Sequence, residues 1–389
     1  MAENDHPKDS QSANRNANGD AGTWPQVDRR STTLDWLTPV SVDGAGPVQR
    51  RHAVADRSPT ERRRAAESPA MAADTCAVVF PGQGAQAVGM GADLAEAFPV
   101  ARRVFEEVDE TLGQDLSGLM REGPEDELRL TRNTQPAMMA VSMALVRTLE
   151  AEAGLSVEGL GRFVAGHSLG EYTALTAAGG LSIGDAARVL RARGEAMQRA
   201  VPVGEGAMAA LSGLDADAAA AVAAEAAAGA DGEVCVAAND NAPGQVVISG
   251  HKAAVERAIE IAASRGSGRT VLLPVSAPFH SPLMAPAAEE LAEVLGGVTI
   301  ARPCVPLVSN VTAAEVVEPD EIRRLLIQQV TGTVRWRECV GYLMASGITG
   351  LVEVGFGRVL TGLARRIDRG LSATSVGTPQ DIEGLLRDA

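Results

Sequence analysis

Short apolar runs of strand length alternate with segments of helical periodicity through most of this chain, and that alternation constrains the fold more than any other feature. Thr75–Phe80 (TCAVVF) reads as a buried strand closed by Pro81-Gly-Gln-Gly84. Helical patterns follow over Ala92–Leu112 and Pro136–Ala153. Phe163–Ala165 is the next strand, and it runs through Gly166-His-Ser-Leu-Gly170 into a helix; Ile183–Ala200 is another helix. Near the C-terminus the pattern resumes with strand Val305–Val308, helices Glu321–Val330 and Cys339–Ala345, strand Gly350–Val354 and helix Val359–Asp368. Strands that feed helices in this order predict an α/β fold whose parallel sheet is covered on both faces.

The rhythm changes between Gly206 and Ser276. There the order is strand (AMAALSGL), helix (Ala216–Ala228), strand (EVCVAAN), strand (QVVISG), helix (Ala253–Ser264), strand (TVLLPVS). That βαββαβ order is the ferredoxin-like split motif. Domain termini often lie close together, so such a unit can sit as an insertion in a larger domain. The expected organisation is an N-terminal extension over 1–73, a catalytic domain over 74–204 and 275–389, and an inserted subdomain over 205–274.

The extension is rich in Asn, Ser, Pro, Asp and Arg and has no sustained apolar period, which predicts disorder. Residues 1–70 hold ten Lys+Arg and ten Asp+Glu, so the whole net charge of −15 belongs to residues 71–389. It has no apolar core for a signal peptide and too many acids for a mitochondrial presequence. Trp24, Trp36 and Leu37 offer a short docking segment, though a passive extension is the plainer reading, and Met71 is a candidate second start. The net charge, and aromatics at 3%, argue against nucleic-acid binding. No apolar run is long enough for a membrane span. Cys76, Cys235, Cys304 and Cys339 are scattered without CxxC spacing, the pattern of buried thiols in a reducing, cytoplasmic compartment.

The chemistry concentrates at Gly166-His-Ser-Leu-Gly170, which fits G-x-S-x-G, the nucleophile elbow. Ser168 would sit at a helix N-terminus, where free N–H groups favour a developing oxyanion. A serine nucleophile needs a base. His6 and His52 lie in the extension, His251 opens a helix where a capping or surface role is expected, and His167 adjoins the serine and cannot readily fold back onto it. That leaves His280, in SAPFHSPLM, where the chain re-enters the large domain. On the Ile183–Ala200 helix, Arg193 projects at the edge of the apolar arc, where a guanidinium must snorkel, pair with a carboxylate or meet an anionic ligand. The Pro81-Gly-Gln-Gly-Ala-Gln86 loop matches G-x-G-x-x-A weakly and lacks both a ribose-binding acid at a strand end and a P-loop lysine. A loop after a strand can instead complete an oxyanion hole beside an elbow.

Six stretches in order, FPGQGAQAVGMG, AGHSLGEYTAL, RARGEAMQ, NAPGQVVISG, SAPFHSPLM and EVGFGRVLTGL, resemble the malonyl-CoA:acyl carrier protein transacylases and, beyond them, polyketide synthase acyltransferase domains. The resemblance runs from about Asp74 to the C-terminus. It implies an α/β-hydrolase-like large domain with a ferredoxin-like insertion. It implies that Ser168 is acylated, that His280 is the general acid and base, and that the backbone N–H groups of Gln83 and Leu169 form the oxyanion hole. Arg193 matches the arginine that holds the malonyl carboxylate, and the main-chain carbonyl of Gln329 matches the group that orients the histidine. Asn310 matches a neighbouring active-site asparagine, and His167 belongs to the pocket. Leu169 and Phe279 resemble malonyl-selecting relatives, where methylmalonyl selectors tend to carry Gln and Ser. Phe356 departs from the family, which usually has proline there.

The implied reaction passes a malonyl group from malonyl-CoA through Ser168 to the phosphopantetheine thiol of an acyl carrier protein, for fatty-acid or polyketide synthesis. No bound cofactor and no metal are expected, and the chain is expected to be a monomer. Carrier proteins are acidic, as is this chain, so a local basic patch is needed; Arg265, Arg269, Arg365 and Arg366 are the candidates, each equally readable as a solvated charge. Two other classes stay open: a thioesterase-like hydrolase with the same serine and histidine, in which Arg193 has no clear purpose, and a catalytically idle scaffold.

Overall fold

The computed structural model describes residues 73–275 and 277–388. The expected disorder of the extension, the docking segment at Trp24, Trp36 and Leu37 and the second start at Met71 lie outside the described residues; Ala73 opens a short turn, Ala73–Thr75. Ten strands follow in chain order: β1 (Cys76–Phe80), β2 (Phe163–Gly166), β3 (Gly206–Ser212), β4 (Cys235–Ala242), β5 (Gln245–His251), β6 (Thr270–Leu272), β7 (Leu307–Val308), β8 (Glu315–Val316), β9 (Gly350–Val354) and β10 (Ser372–Val376). They form a six-stranded sheet ordered β10-β9-β1-β2-β7-β8 and a four-stranded sheet ordered β4-β5-β3-β6.

The larger sheet is parallel from β10 to β7, and only β8 runs antiparallel. Strand β1 shows why. Every residue of CAVVF is buried. Val78 and Phe80 enter one apolar cluster, and Ala77 and Val79 enter another. Successive side chains of a strand face opposite ways, so a strand apolar at both parities belongs in the middle of a sheet covered on both sides. The covering helices include α1 (Thr131–Ala153), α2 (Leu169–Ala177) and α3 (Ile183–Arg199).

The small sheet is antiparallel throughout. Ala207, Ala209 and Leu211 of β3 pack under α4 (Ala216–Ala227) and α5 (Lys252–Ser264), while Met208 and Ala210 face the main core. Its second face is therefore buried against the large sheet's own helical layer rather than left to solvent.

Several boundaries differ from expectation. Helix α1 starts at Thr131, five residues before Pro136, which lies inside it. Its first turn is polar yet buried, because Asn133 Nδ2 donates to Glu127 O and Thr134 Oγ1 to Leu128 O (2.7 and 2.6 Å). The Ala92–Leu112 segment is two helices, Ala92–Ala97 and Pro99–Leu112. Phe98 is extended there (φ −127°, ψ 115°), as a residue before proline prefers. β6 ends at Leu272, two residues before Pro274, which has no N–H for a ladder. His251 stands at the start of α5 without capping it; its Nδ1 accepts from Val234 N–H at 2.9 Å. Cys76, Cys235 and Cys339 are buried as expected, but Cys304 is exposed, in the irregular chain before β7. Among the described residues no helix is long and apolar enough to cross a membrane.

Candidate active site

Phe80 of β1 lies opposite Gly166 of β2, so the loops leaving both strands open at the same sheet edge. After Gly166 the chain turns through Ser168, which has φ 53° and ψ −110° and immediately precedes α2. A serine in this region carries roughly 1–3 kcal/mol of strain and persists only where its surroundings fix it. Three hydrogen bonds do so. Ser168 N–H donates to Asn310 Oδ1 (2.8 Å), Asn310 Nδ2 donates to Gly166 O (2.7 Å), and Gln329 Nε2 donates to Ser168 O (3.0 Å). The two glycines are required by contact. A Cβ on Gly166 would stand 1.9 Å from Gly170 O, and one on Gly170 would stand 2.3 Å from Phe80 O.

Ser168 Oγ lies 2.7 Å from His280 Nε2. On the other side of the ring, His280 Nδ1 lies 2.9 Å from the main-chain carbonyl of Gln329. A carbonyl only accepts, so Nδ1 carries the hydrogen and Nε2 offers its lone pair to the serine hydroxyl. Burial, and then the nearby Arg193 cation, push the His280 pKa down to about 3, which keeps this ring neutral. His280 also has a positive φ, 56°.

Arg193 is only 2% exposed, deeper than its place at the edge of the apolar arc suggests. It neither snorkels nor forms an ion pair through these contacts. Nη1 donates to Gln135 Oε1 (2.7 Å), and Nη2 donates to Gln329 Oε1 (2.9 Å) and Ser168 Oγ (3.1 Å). The guanidinium sits 5.3 Å from the centroid of the Tyr172 ring, an orientation that favours a cation. All these partners are neutral, and Nε has no partner among the described residues. Burial accordingly lowers its pKa. A desolvated cation held by neutral dipoles beside a serine hydroxyl is arranged to receive a negative group.

The remaining expected residues fall around this centre. Gln83, Leu169, Phe279, His167, Ser168, Arg193 and His280 line one cavity of about 180 Å³. Gln83 is tied by its Oε1, which accepts from Thr131 Oγ1 at 2.6 Å. Among the described residues the backbone N–H groups of Gln83 and Leu169 have no protein acceptor. His167 turns toward the small sheet: its Nε2 meets Asn241 Oδ1 at 2.8 Å and its ring packs near Trp336. Asn310 is fully buried behind the elbow rather than on the cavity wall. Phe356 is half-buried against the core between Gly355 and Gly357, both with positive φ.

The four candidate patch arginines divide into two pairs. Arg265 pairs with Glu225, and the Arg269 carbonyl accepts from Ser212 N–H, at the opposite end of β3 from the cavity residue Met208. Arg365 and Arg366 follow the cavity residue Leu363, and Arg366 donates to Gln245 of the small sheet at 3.2 Å.

Gln135, Tyr172, Asn241 and Glu171 were not singled out from sequence. Glu171 carries the clearest overlooked signal, a lone acid in LGEYTALTA, a helix buried from Leu169 to Thr176 with Glu171 itself only 1% exposed. Its Oε2 accepts from Gln329 Nε2 (2.6 Å) and Asn310 N–H (3.1 Å), and burial raises its pKa to about 7.

Comparison with known proteins identifies the family. The acyl transferase domain family matches residues 77–386. The malonyl CoA-acyl carrier protein transacylase of Bacillus subtilis is 47% identical over 307 residues, which are 79% of this chain and 95% of that protein. The Escherichia coli protein of the same description is 46% identical over 310 residues, 80% of this chain and 98% of that one. The solved acyl-carrier-protein-S-malonyltransferase from Bartonella henselae is 54% identical with a TM-score of 0.77, covering 80% of this chain and 98% of its own. A malonyl-transacylase solved in complex with a type II PKS acyl-carrier protein is 43% identical with a TM-score of 0.77, covering 81% and 100%. An α/β chain matched over four-fifths of its length at such identities, with a serine, a histidine and a buried arginine converging on one cavity, belongs to the malonyl-CoA–acyl carrier protein transacylase family of acyltransferases.

Proposed function

We propose that this chain transfers malonyl groups from malonyl-CoA to an acyl carrier protein by a ping-pong route through Ser168. The observation that carries this reading is the convergence on one hydroxyl: Ser168 Oγ lies 2.7 Å from the lone pair of His280 Nε2 and 3.1 Å from the Arg193 guanidinium. In the first half-reaction Oγ attacks the thioester carbonyl while His280 takes its proton. The tetrahedral oxyanion is held by the Gln83 and Leu169 amides, and His280 returns the proton to the departing CoA thiolate. In the second half-reaction the phosphopantetheine thiol gives its proton to His280 and attacks the Ser168 ester; the C–Oγ bond breaks, His280 returns the proton to Ser168 Oγ, and the carrier leaves with the malonyl group. Arg193 holds the malonyl carboxylate, which would otherwise be buried without a counter-ion. Asn310 and the Gln329 carbonyl hold the serine and histidine in place. Arg365 and Arg366, on the cavity side, are the better-placed pair for an acidic carrier.

For the architecture we propose an α/β-hydrolase-like domain over 74–204 and 275–389 interrupted by a ferredoxin-like subdomain over 205–274. The antiparallel order β4-β5-β3-β6, with two helices on one face, supports the second part. The test is mass spectrometry of the intact protein after brief exposure to malonyl-CoA, then to a carrier protein. The expected result is a malonyl adduct on Ser168 that the carrier thiol discharges. Free malonate released just as fast without carrier would instead identify a hydrolase.

A further inference from the structure

We propose that Glu171 is a positioning residue for acyl selection: it accepts from the Gln329 side-chain amide and so turns the Gln329 carbonyl oxygen toward Arg193. The inference rests on Arg193 as the holder of the malonyl carboxylate.

A primary amide has one donating end and one accepting end, and its surroundings choose between the two orientations. At Gln329 the accepting end, Oε1, meets Arg193 Nη2 at 2.9 Å. The donating end, Nε2, meets three acceptors: Glu171 Oε2 (2.6 Å), Ser168 O (3.0 Å) and Asn310 Oδ1 (3.4 Å). Glu171 is the shortest of the three and the only carboxyl. A reversed amide would set NH₂ against the guanidinium and its oxygen against the carboxyl, the worst pairing available. Glu171 does not line the cavity, so it acts on the substrate's surroundings through its bonds to Gln329 and Asn310 and through its charge near Arg193. Because Oε2 is an acceptor in both the ionised and the protonated acid, glutamine at this position keeps the contact and methionine removes it.

The test uses the full chain, with loading of Ser168 measured separately from malonyl-CoA and acetyl-CoA. Losing one such bond should raise the malonyl-CoA KM of Glu171→Met about ten-fold while the acetyl-CoA KM moves less than about three-fold. Glu171→Gln should restore the malonyl-CoA KM to within about three-fold of the starting value. In Gln329→Met the malonyl-to-acetyl ratio should fall as in Glu171→Met, on top of a loss shared by both acyl groups because Gln329 Nε2 also holds Ser168 O, and the Glu171→Met/Gln329→Met double variant should lose no more than the worse single one. A folded Glu171→Met with an unchanged malonyl-to-acetyl ratio overturns the inference, as do losses that multiply in the double variant. If Glu171→Met does not fold, Glu171→Asp, which withdraws the carboxyl by one methylene, takes its place with the same direction of effect and the same overturning result. Arg193→Met runs alongside. Equal losses for both acyl groups there would overturn the carboxylate-holding role itself, whereas a malonyl-selective loss there with no selectivity change at Glu171 overturns only the present inference.

Discussion

Replacing Arg193 with methionine removes the guanidinium, and with it the cation over the Tyr172 ring, but keeps most of the apolar stem. Its expected effect follows from the bonds the guanidinium makes and would make. A carboxylate received by a cation only 2% exposed would form two charge-assisted hydrogen bonds, gross about 3–6 kcal/mol. The group already donates to Gln135, Gln329 and Ser168, and giving up one or two of these neutral bonds offsets about 1–2 kcal/mol. The remaining 1–5 kcal/mol, at about 1.4 kcal/mol per decade, corresponds to roughly 5- to 4,000-fold, with its midpoint near 100-fold. An acetyl group has no carboxylate and escapes this loss. The ratio of kcat/KM for malonyl over acetyl loading should therefore fall about 100-fold, chiefly in the malonyl value. Rapid-quench loading followed by intact-mass measurement of the Ser168 adduct reads both numbers on the same preparation. Losses equal within about three-fold for the two acyl groups would refute the reasoning, because a carboxylate contact cannot act on a substrate without one.

Three further outcomes are expected. Because burial and Arg193 hold the His280 pKa near 3, the kcat/KM for Ser168 acylation should stay level as pH falls through the ordinary histidine range; in Arg193→Met the cation is gone, the His280 pKa rises and the acid limb moves to higher pH. A wild-type limb centred near 6.5 in stopped-flow profiles would contradict this. Ser168→Gly should abolish acylation yet raise stability by about 1 kcal/mol, since glycine accepts φ 53° without strain; a lower urea midpoint would count against stored strain at the elbow. Gly170→Ala should cost at least about 3 kcal/mol or prevent accumulation of folded protein, because its Cβ meets main-chain Phe80 O at 2.3 Å; a melting temperature within a few degrees of wild type would show that α2 can back away from β1.

Much of this site was legible because its parts obey local rules. Gly166 and Gly170 flank a serine where a strand must turn sharply into a helix, and that requirement is written in five consecutive residues. His280 was reachable by elimination among five histidines. Arg193 was noticed because helical spacing set a charge beside an apolar face, but spacing alone carries no depth, and the helix lies more deeply buried than its period implies. Glu171, Gln135 and Asn241 were missed for the opposite reason. Each meets its partner in the site from far away in the chain, Glu171 at Gln329, Gln135 at Arg193 and Asn241 at His167, so no window of sequence contains both ends of the interaction. The polar first turn of α1 was illegible for another reason: Asn133 and Thr134 are satisfied by carbonyls six residues back, in the short helix Glu125–Arg129, and read as surface residues unless that helix is placed. β10, the polar edge strand Ser372–Val376, lacks the apolar run that exposed the central strands.

His280 leans on the carbonyl of Gln329, an uncharged oxygen, where hydrolytic triads place a carboxylate. An uncharged neighbour stabilises the imidazolium less, so the ring is a reluctant base. That reluctance weighs differently on the two acceptors competing for an acylated serine. A thiol with a pKa near 8.5 surrenders its proton about seven powers of ten more readily than water at 15.7. Under the proposed mechanism, leaving out one negative charge behind the histidine lengthens the life of the malonyl ester in water while costing the thiol reaction far less. The choice of acceptor is then partly a matter of timing: the loaded enzyme waits, and the carrier arrives before hydrolysis does.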